Sequence, residues 1–416
     1  MRILHVNKFL YRRGGAEAYM QDVSALQAAE GHDVAFFGMS HPLNPPLEHA
    51  DTFPSLVELD PPPPSVAGKI EAAARMFRSP GARRGLDRLL EAFRPDIVHL
   101  HNVYHQLPPS ILAALVARGI PSVMTLHDYK LVCPTYLFLD HGQVCEACLG
   151  GHFHRAALRR CKNGSVVQSA LCALESTFHR VTGAYGAVTL LVCPSRFLAR
   201  KVAEAGVFPD RVRHLNGFVD AGRIEPRAAP AGTVVFAGRI SQEKGLDVAV
   251  EAVARLGPGV QLDVAGEGPD RPHAEALSER VAPGRVRFLG RLPRQEVLGL
   301  VAGAAVVVVP SRCYENQPLG VLEAFACGVP VVGTNHGGIA ELVEPGADGL
   351  LVPPGDPIGL ASALRTILSD PAAGRRLGAA GREKVARAFT PAVHLAGLHS
   401  LYQEAIERLA RMRGVA

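Results

Sequence analysis

Two carboxylates on one short segment could hold a sugar and a ribose beside a phosphate-binding helix start. Glu315 and Glu323 flank Asn316-Gln317-Pro318-Leu319-Gly320-Val321-Leu322, after an apolar run ending at Val309. Pro318 suits the first position of a helix, because the N–H it lacks would find no partner there. Glu315 then falls in a loop and Glu323 nearly two turns into the helix. A helix start offers free N–H groups and positive partial charge, which suits a diphosphate. Glu323 can accept from the cis-diol of a ribose. Glu315 can accept from sugar hydroxyls, with the Asn316 and Gln317 amides and Leu319 beside it. Acids at a helix start are by themselves common on solvent-facing helices. The run that follows, through Ala326-Cys327-Gly328-Val329-Pro330 to His336-Gly337-Gly338, makes the constellation more specific.

Two cations complement these acids. Arg239 and Lys244 lie in Gly238-Arg239-Ile240-Ser241-Gln242-Glu243-Lys244-Gly245, at the carboxyl end of an apolar run. In open α/β sheets, that end binds ligands, and two fixed cations there can neutralise a departing diphosphate. Alone, such a pair would be ordinary surface charge. The next apolar run ends in Gly266-Glu267-Gly268-Pro269, a turn that permits close approach and places Glu267 on the same rim. Near the N-terminus, Tyr11-Arg12-Arg13-Gly14-Gly15-Ala16-Glu17 is another Gly-rich turn into a helix. His99, His101 and His105 follow one strand-like run, and His127-Asp128-Tyr129 follows another. A single such histidine is more often structural. Two histidine loops on one rim point to function, above all for His127. No zinc-protease pattern is present.

A third cluster is separate from these. Cys133, Cys145, Cys148 and Cys161 include one Cys-x2-Cys pair with two distant partners, within an insert of about 133–165. Four thiols so spaced suit a structural tetrahedral zinc, a redox pair, or simply buried thiols. Arg155, Arg159, Arg160 and Lys162 surround them.

Positioning these groups requires two repeating strand–helix series. Arg2–Val6, Asp33–Gly38, Asp96–Leu100, Ser122–Leu126 and Leu190–Cys193 read as strands of a first domain, residues 1–215. Thr233–Ala237, Gln261–Ala265, Val286–Leu289, Ala305–Val309 and Val329–Gly333 read as strands of a second, residues 233–390. Continuous aliphatic runs indicate parallel strands buried on both faces. The fold class is therefore α/β, with two Rossmann-like doubly wound domains facing a cleft. A linker is expected over 216–232, which contains Pro226 and Pro230. Residues 391–416 read as an amphipathic helix able to pack back on the first domain. Residues 41–64 are Pro-rich and read as a loop. The basic stretch 69–94 reads as a solvated helical pair or as a surface touching anionic lipid.

The chain has 416 residues, 48% hydrophobic and 20% charged, which favours large cores over disorder. A formal charge of +5, no Trp and no aromatic–basic stripe argue against nucleic acid. The N-terminus lacks the long apolar core of a signal peptide, and no apolar run approaches the ~18 residues of a membrane span. The expected location is cytoplasmic, with peripheral contact at the inner membrane face as an added possibility.

Taken together, the motifs resemble the retaining glycosyltransferases of family 4, with the GT-B fold. Glu315 and Glu323, Arg239 and Lys244, Gly14-Gly15, Asn216-Gly217 with Asp220, and Gly337-Gly338 carry the resemblance, which spans essentially the whole chain. The cysteine insert departs from the plain family pattern. The resemblance implies a nucleotide-diphosphate sugar donor held mainly by the second domain and a hydroxyl acceptor held mainly by the first. It assigns the diphosphate to Arg239 and Lys244, the ribose to Glu323, and the donor sugar to Glu315, Asn316 and Gln317, with His127 nearby. No Asp-x-Asp occurs, so no divalent cofactor is expected for catalysis. The acceptor, whether sugar, lipid or small molecule, is not specified. A sugar phosphorylase or nucleotide-sugar epimerase on the same fold, and a non-catalytic nucleotide-sugar binder, are the alternatives.

Overall fold

The apolar runs become two six-stranded parallel sheets. The computed structural model describes residues 1–59, 61–224 and 232–414. Strands β1 (Arg2–Val6), β2 (Asp33–Phe37), β3 (Ile97–Leu100), β4 (Ser122–Thr125), β7 (Leu190–Cys193) and β8 (Val212–His214) form the first sheet, in the order β2-β1-β3-β4-β7-β8. A two-stranded hairpin, β5 (Leu139–Asp140) and β6 (Gln143–Val144), lies within the cysteine insert. The second sheet runs β11-β10-β9-β12-β13-β14, from β9 (Thr233–Ala237), β10 (Gln261–Ala265), β11 (Val286–Gly290), β12 (Val306–Val309), β13 (Val331–Thr334) and β14 (Gly349–Val352). Strand order reverses between β1 and β3 in one sheet and between β9 and β12 in the other. Such switch points leave a crevice at the strand carboxyl ends.

Two edge strands, β8 and β14, are not evident in the sequence. Both are short, and β8 is built from Val-Arg-His, without a continuous apolar run. The strand expected over Val329–Gly333 begins at Val331, after Pro330, which lacks the N–H a ladder needs. The helix that follows the glutamate loop spans Leu319–Ala326, with Pro318 as its cap rather than its first residue. Glu323 therefore sits little more than one turn into it.

Helices cover both faces of each sheet, so the central strands are buried on both sides, while the edge strands β8 and β11 are only partly covered. In the first domain one core joins Leu4, Val98 and Met124 to Leu86, Leu89 and Phe93 of helix Pro80–Phe93. On the other face, Ile3, Ile97, Val123 and Val192 pack against Leu395, Leu398 and Tyr402 of the last helix, Pro391–Met412. The chain thus returns to the first sheet after the second domain. Outgoing and returning segments meet: the Val219 N–H donates to the Phe389 carbonyl at 2.9 Å, and His394 Nδ1 lies 2.6 Å from the Asn216 carbonyl oxygen. Of the linker expected over 216–232, residues 225–231 lie outside the described residues.

Candidate active site

The two switch points face each other. On the second-domain side, Lys244 ends a short turn after β9, and Ser311 to Gln317 follow β12. Gly245 brings these loops together: its φ is +68°, and a Cβ there would lie 2.2 Å from the Pro310 carbonyl oxygen. Lys244 Nζ meets Glu315 Oε1 at 2.6 Å, and the Ser311 hydroxyl donates to the same oxygen at 2.6 Å. Burial pulls the Lys244 ammonium down, but the adjacent Glu315 carboxylate outweighs it and leaves the ammonium raised. Burial pushes Glu315 up, and Lys244 and Ser311 reverse that, holding its carboxyl below the usual range. At neutral pH this is a formed ion pair at the strand ends.

The glutamate loop is pinned from both sides. The Gly338 N–H donates to the Glu315 carbonyl at 2.7 Å, and a Cβ at Gly338 would stand 1.6 Å from the Asn316 carbonyl oxygen. Only a glycine allows that approach. From the first domain, the Tyr129 hydroxyl donates to the Glu315 carbonyl at 3.2 Å. Asn316 Nδ2 donates to the Leu126 carbonyl at 2.7 Å, and its Oδ1 accepts from Ser195 at 2.8 Å. Gln317 Oε1 accepts from the Gly217 N–H, and its Nε2 donates to Asn216 Oδ1 at 3.1 Å. Both amides, read from sequence as sugar contacts, here join the glutamate loop to the first domain and the linker.

Glu323 faces Arg294 Nη2 at 3.3 Å, and Arg294 Nη1 also reaches Asp22 Oδ2 of the first domain at 3.1 Å. Burial raises the Glu323 carboxyl despite Arg294. Leu319 packs partly buried against the helical core beneath. Arg239 is exposed and pairs with no described residue. Glu267 is also exposed and paired with Arg271 at the start of the helix that follows. Gly14 caps helix Gly15–Ala29 in extended conformation with no side-chain cap, and nothing lies within 4 Å of a Cβ built on Gly15. The helix start is therefore open to the crevice.

On the first-domain side, His127 lines a small cavity with His101, Asn102, Tyr104, Asp128 and Lys130. Its Nε2 lies 3.0 Å from His101 Nδ1. Burial holds His127 down at about 4, so its ring is neutral at pH 7. Beyond it, Lys130 Nζ and His105 Nδ1 converge on the fully buried Glu175, at 2.7 and 2.8 Å. Sequence reasoning passed over Arg294, Tyr129, Ser195 and Glu175. Of these, only Tyr129 carried a signal, its place in His127-Asp128-Tyr129.

The four cysteines are free thiols, Cys133 and Cys148 buried, Cys145 and Cys161 partly so. Burial pushes the Cys148 and Cys161 thiols up to about 12, and the neighbouring cysteines add to it. Among the described residues, the side chains whose ligating atoms all lie within 4.8 Å of one another are His5, His99 and His101, and Glu30, His32 and His399. The cysteine quartet is not gathered that tightly.

A model described as Glycosyltransferase Family 4 matches residues 13–223, and one described as Glycosyl transferases group 1 matches residues 231–370. A D-inositol 3-phosphate glycosyltransferase of Catenulispora acidiphila is 30% identical over 373 residues, covering 83% of this chain and 77% of that protein. The chain is a family 4 glycosyltransferase. The family 4 chain is also 30% identical to a glycogen synthase of Mycobacterium tuberculosis over 315 residues, covering 73% of the one and 67% of the other. In structure it resembles Anabaena HepE, solved in complex with UDP-glucose, with a TM-score of 0.67, 18% identity and coverage of 99% and 100%. That likeness speaks for the GT-B fold, two parallel-sheet domains about a cleft. Among the described residues no helix is long and apolar enough to cross a membrane.

Proposed function

We propose that this glycosyltransferase moves a hexose from a nucleotide-diphosphate sugar to an acceptor hydroxyl with retention at the anomeric carbon. The observation that carries the proposal is the Lys244–Glu315 pair, 2.6 Å apart at the β9/β12 switch point. A diphosphate entering there takes Lys244, with the free cation of Arg239 at hand. Glu315 is thereby released toward the sugar hydroxyls. As the bond from the anomeric carbon to the phosphate oxygen breaks, negative charge grows on the leaving diphosphate, where a fixed cation is worth most. The acceptor oxygen bonds to the same face, and its proton passes to the leaving phosphate oxygen. Glu323, freed from Arg294, accepts from the ribose diol. The two cations take the charge-neutralising role, so divalent metal is not required. Assays of Lys244→Ala and Glu315→Ala test the reading; full transfer by both variants sinks it. Turnover with phosphate and no nucleotide sugar would instead favour a phosphorylase.

The acceptor side is proposed to sit at an anionic membrane face. Val167, Leu174 and Val181 lie on one stripe of helix Val166–Val181, and all three are exposed. Phe178 of the same face meets Phe77 of helix Val66–Phe77, with ring centroids 5.4 Å apart. Val66 and Ile70 are exposed on that helix, alongside Lys69, Arg75 and Arg78. An apolar face ringed by cations suits an anionic interface. The lipid surface read from 69–94 is thereby shifted, since the apolar side of Pro80–Phe93 is buried in the core. Sedimentation with phosphatidylglycerol vesicles should carry the protein down, and phosphatidylcholine vesicles should not. Binding that survives Val167→Glu with Leu174→Glu overturns the assignment.

For the cysteine insert the proposal is a structural zinc held by Cys133, Cys145, Cys148 and Cys161. A Zn–S distance near 2.3 Å requires the sulfurs to close and ionise, which the metal's own charge drives. About one zinc per chain after purification without chelator supports it; a metal-free, stable protein removes it.

A further inference from the structure

Of the two trios of closely placed ligating side chains, one is already committed. His99 turns its ring nitrogens to Tyr402 and Thr125, and His5 turns its own to Gln27 and His101. The other trio, Glu30, His32 and His399, differs. His399 Nδ1 lies 3.6 Å from Glu30 Oε2, beyond hydrogen-bond reach, and its Nε2 has no partner among the described residues. Yet the His399 side chain is only 25% exposed. A ring held in place but bonded through neither nitrogen keeps a lone pair free to coordinate.

Three elements bring this trio together at the amino ends of the first-domain strands, the edge away from the crevice. Glu30 ends helix Gly15–Ala29, His32 precedes β2, and His399 lies in the returning last helix. The His32 N–H donates to the Gln27 carbonyl at 3.1 Å, which seats that residue at the helix end. Helix Gly15–Ala29 has no basic residue in its last turn, so the negative end of its dipole meets Glu30 with no cation of its own. At 1.5 Å per residue the helix is about 22 Å long, so the trio stands well away from the crevice that the helix start faces.

The geometry suits a borderline metal ion. Glu30 Oε2 is 4.0 Å from His32 Nε2, and the three residues offer ligating atoms that all lie within 4.8 Å of one another. The two rings are almost perpendicular, at 88°, with centroids 4.8 Å apart. His32 Nδ1 is taken by the Met1 nitrogen at 3.1 Å, which leaves Nε2 for the trio. Burial biases the His32 ring toward its neutral, ligating form. Tetrahedral zinc ligands at about 2.0–2.2 Å from the metal stand roughly 3.4 Å from each other. A modest side-chain shift closes the set, and Glu30, the most exposed of the three, is free to make it. Imidazole with carboxylate suits zinc, whereas magnesium and calcium favour oxygen ligands alone. We propose that Glu30, His32 and His399 form a zinc site, with water in the fourth position, that staples the last helix to the end of the first helix and the head of β2. The site is separate from the cysteine insert and acts on the hold of the last helix, not on sugar transfer.

Equilibrium dialysis of the full chain against zinc, with the metal counted per chain, tests the proposal. The parent protein should hold about one zinc more than His399→Gln or Glu30→Gln. All three share the cysteine insert, so any zinc held there cancels. Zinc should also raise the Tm of the parent more than that of either variant, and magnesium should not compete. Equal zinc in parent and variants overturns the site. A measurement on the parent alone covers a variant that fails to fold: in ¹⁵N spectra of histidine-labelled protein, zinc should move the ring nitrogens of His32 and His399. Signals that stay in place overturn the site, and displacement of the zinc by equimolar magnesium overturns the imidazole ligands.

Discussion

The two rims of the cleft solve burial of polar groups in opposite ways. The second-domain rim keeps full charges and compensates them at short range, Lys244 against Glu315 with Ser311 as a further donor. The first-domain rim keeps its histidines neutral by burial and orders them by hydrogen bonds, from His5 through His101 to His127. Where it does hold charge, Lys130 is paired with the buried Glu175, and burial keeps the adjoining His105 neutral. A charged rim suits a charged leaving group. A neutral, hydrogen-bonded rim suits hydroxyls. The contrast teaches that the division of labour between the domains is electrostatic as well as topological.

Removing one side of the charged rim should have the largest effect. On the proposed function, Lys244→Ala takes away a cation from the leaving diphosphate and should lower kcat by about 10²- to 10³-fold, as loss of a preorganised charge stabiliser does elsewhere. Steady-state transfer with a nucleotide-sugar donor measures it; a loss below threefold would place the leaving group elsewhere. On the other rim, Glu175→Ala leaves Lys130 buried and unpaired. Breaking a buried pair in this way costs about 3–5 kcal/mol, to be read from urea unfolding, with little bearing on a donor-binding assay if the protein folds.

The pH response should separate the rims further. His5, His127 and His394 titrate at about 4 in the folded chain against an ordinary 6.5. Between those values the unfolded chain binds protons that the folded one refuses. Stability should therefore fall as pH drops from 6.5 toward 4. Glu175 has a depressed folded value, so its contribution is full above the ordinary carboxyl range and is lost only at lower pH. Across pH 7.5 to 5 the Lys244–Glu315 pair stays formed, because the ammonium is raised and the carboxyl lowered. Urea midpoints that do not move across this window would contradict the neutral-histidine rim.

Smaller effects are expected at the contacts between loops. Gly338→Ala forces the glutamate loop off its seat and should cost about 1–3 kcal/mol in unfolding, as overpacking does, with a rise in donor KM. Arg294→Ala breaks a partly exposed bridge to Asp22 and Glu323 and should change stability by no more than about 1 kcal/mol. A larger change would mean that the bridge holds the cleft.

Much of this was legible along the chain. The aliphatic runs that became β1, β3, β9 and β12 announce buried parallel strands because a strand covered on both faces needs no polar alternation. Glu315 and Lys244 were legible because each directly follows such a strand. Arg294 was not, since nothing in a surface helix start distinguishes an arginine that bridges domains from one facing water. Gln27 and Tyr402 were equally silent. They lie 375 residues apart and meet only because the last helix returns to the first sheet.

The sequence by itself determined the α/β class, the strand-end loops and the residue types on them, because periodicity and punctuation are local properties of a chain. Only the tertiary structure decided that Asn316 and Gln317 reach into the first domain and the linker. It alone set the Lys244–Glu315 distance and brought His5, His101 and His127 into one chain. Those depend on which surfaces meet across hundreds of residues, and a hydrogen bond is fixed by the position of its partner rather than by its neighbours in sequence.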